Sequence, residues 1–139
     1  MTILGEEAAA LLEFDRNREV TKIIDRIRKI LSQDLRRRGL VVAISGGIDS
    51  SVCTALAVEA IGKKKVFGLL MPEQDSSSFS SDRGQQLADH LGIEYVVENI
   101  GPTLQAIGCY KWRDDAIRTV FPDYNSGWKN KIVIAGGME

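Results

Sequence analysis

Apolar residues recur three and four positions apart at Val20, Ile23, Ile24, Ile27, Ile30, Leu31 and Leu35, with Lys22, Asp25, Arg26, Arg28, Lys29 and Gln33 between them. Side chains at that spacing share one side of a helix, so the segment predicts an amphipathic helix with a buried stripe. Asp15 is placed to cap its first turn, and Arg36, Arg37 and Arg38 close it ahead of a C-capping Gly39, cations suiting the negative end of the helix dipole. The pattern then changes. Residues 40–44 (LVVAI), 66–71 (VFGLLM) and 93–97 (IEYVV) are short, nearly continuous apolar runs and predict buried strands. Residues 52–61 form an alanine-rich apolar helix that ends at Gly62 and three lysines, Lys63, Lys64 and Lys65. Pro72 stops the second strand, and a loop with five serines among residues 76–81 leads to a helix over 82–91 capped by Ser81.

Strands alternating with helices through short connections imply parallel pairing and right-handed crossovers. The expected fold is α/β, a three-layer, mostly parallel sheet with helices on both faces. Residues 131–135 (KIVIA) predict a fourth strand. In such sheets ligands sit at the carboxyl ends of the strands. That places the loop after the first strand, Met71 and the serine loop on one rim.

The loop after the first strand reads SGGIDSS, residues 45–51. Gly46 and Gly47 lack a Cβ and let a ligand approach the backbone, while Ser45, Asp49, Ser50 and Ser51 bring short polar groups to the same turn. The helix that follows aims unpaired N–H groups and its positive dipole end at the turn, which favours phosphate. A Walker loop is excluded because no lysine lies in the turn, and the dinucleotide fingerprint GxGxxG is also missing.

The loop resembles the SGGxDS loop of the N-type ATP pyrophosphatases, of the adenine nucleotide alpha hydrolase-like fold. With GLVVAISGGIDSSVCTALAVEAIG and VFGLLMPEQDSSSFSSDRGQQLADHLGIEY it is similar, from about residue 15 to 100, to the NAD synthetase branch. The resemblance implies that ATP, deamido-NAD and ammonia become NAD, AMP and pyrophosphate. It implies that Ser45, Gly46, Gly47, Asp49 and Ser50 hold the ATP phosphates, with Asp49 a magnesium ligand and Asp49 and Ser45 the catalytic pair. Ala43, Ile44, Ile48 and Ser51 complete the nucleotide site, and the backbone near Met71 meets adenine. A homodimer and a cytoplasmic setting belong to the same expectation.

Composition narrows the classes. The chain has 139 residues, 44% of them hydrophobic, enough for a single domain over 1–139 with one core. A formal net charge of −1 gives no global pull toward nucleic acid or membrane, so basic contacts must be local. Two cysteines, Cys53 and Cys109, have no metal-ligand spacing; Cys53, inside an apolar helix, reads as a small core residue. His90, the one histidine, reads as a helix-end residue.

Several segments keep two readings. Residues 1–14 form a helical arm that packs on the domain or on a second copy. The serine loop is a connector or a wall of the ligand site. Tyr110, Trp112, Arg113, Arg118, Tyr124, Trp128 and Lys129 stack a base or hold a phosphate, or they pack internally or against another subunit. NAD synthetases are longer than this chain, and the expectation is therefore of an N-terminal half, truncated after 131–135. Beside the leading reading stand an ATP pyrophosphatase with another acceptor and a noncatalytic nucleotide-binding module.

Overall fold

The computed structural model describes residues 15–76, 78–125 and 127–128. The chain divides into two compact units, Met1–Asn99 and Ile100–Glu139. The expected arm over 1–14 and strand over 131–135 lie outside the described residues.

In the first unit, helix α1 (Arg16–Lys29) opens under the expected cap, the Arg18 amide donating to Asp15 Oδ1 at 3.1 Å. Its apolar stripe is only partly covered: Ile24 and Leu31 are buried, whereas Val20 and Ile23 are each 41% exposed. The helix continues as a wider turn over Ile30–Asp34, where the Leu35 amide reaches back to the Ile30 carbonyl at 2.8 Å. Arg36 then adopts a left-handed φ of 51°, and the Arg37 amide bonds the Leu31 carbonyl at 2.8 Å. This is the closure usually made by glycine. The C-cap expected at Gly39 therefore falls instead on Arg36.

Three parallel strands follow, β1 (Leu40–Ala43), β2 (Val66–Leu70) and β3 (Glu94–Val97), in the order β1-β2-β3. Leu40 lies opposite Val66, and Phe67 opposite Glu94. The crossovers are α2 (Ile48–Ile61) with a tight turn over Lys63–Lys65, and α3 (Ser78–Leu91). Ser81 is thus inside α3 rather than its cap. Gly39 is required by packing: a Cβ built there would stand 2.8 Å from the Lys65 carbonyl oxygen. Gly39→Ala is expected to separate the starts of β1 and β2 and to cost about 1–3 kcal/mol, read as a lower urea midpoint. An unchanged midpoint would show that the backbone yields without strain.

The core joins Ile44, Val66, Leu70 and Ile93 to Ala57 of α2 and Ala88 of α3, with Leu40, Val42 and Tyr95 packed around them. These strand positions alternate, so both crossover helices cover the same face of the sheet. On the opposite face Val41 is 68% exposed, Val96 41% and Phe67 38%.

Beyond its polar first turn helix α2 carries apolar side chains on more than one side, Val52 being 49% exposed, and its inward positions are Thr54, Ala57 and Ala60. Cys53, expected in the core, is exposed. Small side chains at the inward positions suit close packing of the helix on β1 and β2. Thr54 is fully buried, and its hydroxyl donates to the Ser50 carbonyl at 2.6 Å, so it costs no unpaired polar group. The C-terminus of α2 is held by α1: Arg28 donates from Nε to the Ala60 carbonyl at 2.7 Å and from Nη2 to the Glu59 carbonyl at 3.2 Å. A cation thus sits at the negative helix end, supplied by Arg28.

In the second unit, α4 (Gly101–Ala106) has Pro102 in its first turn, and α5 (Cys109–Arg118) starts after Gly108 at φ 85°. The Lys111 ammonium bonds Asp115 and, with Arg118, holds that carboxyl below its ordinary range.

Candidate functional site

Strand β1 delivers the chain to the rim through Ile44, whose amide extends the ladder to the Leu69 carbonyl at 2.9 Å. Ser45 follows, then Gly46 with φ 77° and Gly47 with φ −86° and ψ 165°. Only Gly46 needs the left-handed region. Gly47 is ordinary extended backbone and stands at the N-cap of α2 without a capping side chain.

The serine hydroxyls knit the turn together. Ser50 Oγ accepts from the Ser45 amide at 3.2 Å, donates to the Gly47 carbonyl at 3.1 Å and lies 3.0 Å from Ser45 Oγ. Ser45 Oγ accepts from the Gly47 amide at 3.3 Å, and Ser51 Oγ donates to the Gly47 carbonyl at 2.8 Å. Two of the backbone donors expected to face a ligand, those of Ser45 and Gly47, are therefore already paired inside the loop. Those of Ile48, Asp49 and Ser50 make no hydrogen bond among the described residues. Three free N–H groups at the start of a 14-residue helix form an anion seat.

The side chains expected at the site divide. Ser45, Gly47 and Asp49 are exposed, Gly46, Ser50 and Ser51 are half-buried, and Ile48 is 76% exposed beside them. Ala43 is exposed at the end of β1. Ile44 is buried in the core, yet with Ser45, Leu70, Met71, Pro72, Ser76 and Ser81 it walls a pocket of about 100 Å³. The loop, Met71 and the serine loop thus share one rim. That pocket is smaller than the roughly 300–1,000 Å³ of whole-ligand sites. It has room for only part of such a ligand.

Among the described residues no three His, Cys, Asp or Glu side chains gather to hold a metal. Asp49, an exposed single carboxylate, still fits magnesium, which takes one or two carboxylates and completes its shell with substrate phosphates and water. His90 is exposed in the last turn of α3.

Sequence reasoning missed Thr54, which ties the second turn of α2 to the Ser50 carbonyl. Its four-residue spacing from Ser50 was the available signal. In the second unit Lys129 lies outside the described residues, and the two arginines are engaged: Arg113 pairs with Asp114 and lies 5.2 Å from the Tyr110 ring centre, and Arg118 pairs with Asp115 and lies 5.9 Å from that of Tyr124. Trp128 packs against Phe121 and, edge to face at 5.9 Å, against buried Tyr124. Internal packing accounts for most of that aromatic and basic density, although Trp112 is 65% exposed.

The NAD synthase family model matches residues 19–125. The chain is 51% identical over 129 residues to the NH(3)-dependent NAD(+) synthetase of Mesorhizobium japonicum, covering 93% of this chain and 40% of that protein. It is 52% identical over 132 residues to the enzyme of the same name from Rhizobium meliloti, covering 95% of this chain and 39% of that protein. It thus spans about two fifths of these relatives. Its fold is similar to that of the NH3-dependent NAD synthetase of Campylobacter jejuni, with a TM-score of 0.65 and 28% identity over 78% of this chain and 50% of that one.

Proposed function

Because the chain belongs to the NAD synthase family, we propose that it carries the ATP-handling part of an ammonia-dependent NAD synthetase. The observation that carries this reading is the anion seat formed by the free amides of Ile48, Asp49 and Ser50, on one rim with the Ser45–Met71 pocket. The ATP triphosphate lies on the seat, with Ser45, Gly46, Gly47, Ser50 and Ser51 around it. The adenine edge enters beside Met71, with Ile44 as wall and Ala43 and Ile48 at the margins.

In the reaction a carboxylate oxygen of deamido-NAD bonds to the α-phosphorus of ATP as the bond to the leaving pyrophosphate breaks. Ammonia then attacks the carbonyl carbon of the resulting acyl adenylate and loses a proton to solvent as the amide forms, and AMP departs with the electron pair of the broken carbon–oxygen bond. Magnesium, when bound, supplies charge neutralisation on the phosphates, and Asp49 is the residue that would hold it. The loop amides stabilise negative charge developing on pyrophosphate. Ser45 and Ser50 exchange their mutual hydrogen bonds for phosphate oxygens, which orients the triphosphate without a protein nucleophile. A cytoplasmic homodimer remains part of the reading; among the described residues no helix is long and apolar enough to cross a membrane.

Phosphorus NMR of the chain with ATP, magnesium, ammonium and deamido-NAD tests it. AMP and pyrophosphate formed only when deamido-NAD is present are the expected result. AMP formed with other carboxylates instead would favour a different acceptor. ATP binding without AMP under any acceptor would reduce the chain to a nucleotide-binding module.

A further inference from the structure

Two glycines on the helix-covered face of the sheet make room for one side chain, that of Ile44. A Cβ at Gly68, in the middle of β2, would stand 2.9 Å from Ile44 Cδ1 and 2.9 Å from Tyr95 Cβ. A Cβ at buried Gly84, in the middle of α3, would stand 2.9 Å from Leu70 Cδ2 and 3.3 Å from Ile44 Cγ2. Ile44 therefore fills the notch at Gly68, and α3 rests directly on Ile44 and Leu70 because Gly84 has no side chain. Glycine inside a helix costs about 0.5–1 kcal/mol relative to alanine, and at Gly84 it permits a close approach of helix to sheet that alanine would block.

Ile44 and Leu70 are also walls of the rim pocket, which Ser81 closes from the α3 side. Ser81 lies three residues before Gly84, one turn nearer the rim, and so shares its face of the helix. The distance of Ser81 from Ile44 and Leu70 is thus set by how closely α3 approaches at Gly84. Both apolar walls are buried in the core, where close packing leaves little space to absorb a methyl. A methyl at Gly84 therefore displaces α3, Ser81 moves with it, and the pocket widens.

We infer that Gly84 is a positioning residue that sets how tightly the rim pocket grips a flat heterocyclic base. It touches no ligand and acts through Ile44, Leu70 and Ser81. The inference rests on the proposed reading, in which the phosphates of ATP lie on the 45–51 loop and its adenine enters beside Met71. In a pocket of about 100 Å³ a ring edge is held by contact on both sides, and a gap of about 0.5–1 Å forfeits a quarter to a half of the attraction between facing atoms. The amides of the anion seat belong to the start of α2, whereas the atoms nearest to a Cβ at Gly84 are those of Leu70 and Ile44. Grip on the base and grip on the phosphates therefore respond separately to a change at Gly84.

Calorimetry of the full chain with magnesium, comparing ATP with inorganic tripolyphosphate, tests it. The parent should prefer ATP, and Gly84→Ala should lose at least about tenfold in ATP affinity, or 1.4 kcal/mol, while its affinity for tripolyphosphate stays within about twofold. Adding Leu70→Val removes the Cδ2 that stands 2.9 Å from the introduced methyl. That double variant should recover the preference for ATP to within about twofold of the parent's. Should Gly84→Ala unfold, the double variant carries the test, and a folded double variant without the preference overturns the inference. An unchanged preference in Gly84→Ala, or equal loss of both ligands, overturns it as well. A parent that binds the two ligands equally, or neither, refutes the proposed function and this inference with it, whereas a failure confined to the variants refutes the role of Gly84 alone.

Discussion

Gly46→Ala and Gly47→Ala are expected to part company in stability and to agree in losing ATP. At Gly46 the φ of 77° puts an L residue in the left-handed region, at a cost of about 1–2 kcal/mol. At Gly47 the backbone is extended, and a Cβ would meet only Ser45 Oγ at 3.4 Å. Folding should therefore stay within about 1 kcal/mol of the parent, the lost N-cap preference offset by a less flexible unfolded chain. Both changes should weaken ATP by at least about tenfold, equivalent to 1.4 kcal/mol. Gly46→Ala distorts the path of the loop, and Gly47→Ala sets a methyl 3.4 Å from Ser45 Oγ, the hydroxyl proposed to turn to the phosphate. Urea denaturation gives the first quantity and calorimetry the second. Unaltered ATP affinity in Gly47→Ala would remove the triphosphate from this loop.

Asp49→Asn is expected to abolish the magnesium dependence rather than simply to weaken binding. The carboxylate lies in the first turn of α2, where negative charge stabilises the ligand-free helix by about 0.3–1 kcal/mol. Triphosphate brings its own negative charge to the same helix end, and an exposed carboxylate beside it is unfavourable unless a cation lies between them. The variant should thus lose a few tenths of a kcal/mol or more in stability, bind ATP more tightly than the parent in chelator, and gain little on adding magnesium. Calorimetry with and without magnesium measures all three relations against a melting curve. A magnesium response equal to the parent's would exclude Asp49 as the bridge. A weaker affinity in chelator would mean that the carboxylate orients the loop.

Ser50 ties these expectations together. Its hydroxyl holds the Ser45 amide, the Ser45 hydroxyl and the Gly47 carbonyl, and its own carbonyl is fastened by buried Thr54. The loop thus keeps its shape through its own hydroxyls. On the proposed reading, entry of a phosphate would be an exchange of hydrogen bonds rather than their first formation.

The order of strands and helices was legible because each carries a local signature. Apolar runs at 40–44, 66–71 and 93–97 marked the three strands to within a residue or two, and Asp15 marked the start of α1. The 45–51 loop was equally plain, since its glycines and hydroxyls act on neighbouring backbone. Its placement on one rim with Met71 and the serines followed from parallel topology.

What stayed hidden depended on contacts between distant segments. Helix α2 has no single apolar stripe, so only the sheet could decide that Thr54 turns inward and Cys53 outward. Left-handed closure fell to Arg36 because the approach of Lys65 reserved Gly39 for packing, a contact 26 residues away by number (39 to 65). The basic triplets read separately as solvated helix ends, and tertiary folding brought Arg38 of the first beside Lys63, Lys64 and Lys65 of the second. Thus the sequence alone determined the alternation of elements and the hydroxyl-rich glycine turn at 45–51, through interactions within a few residues. Only the tertiary structure decided which side of α2 is buried, which loop donors are free and where charge accumulates, because burial and charge density depend on neighbours supplied by other elements.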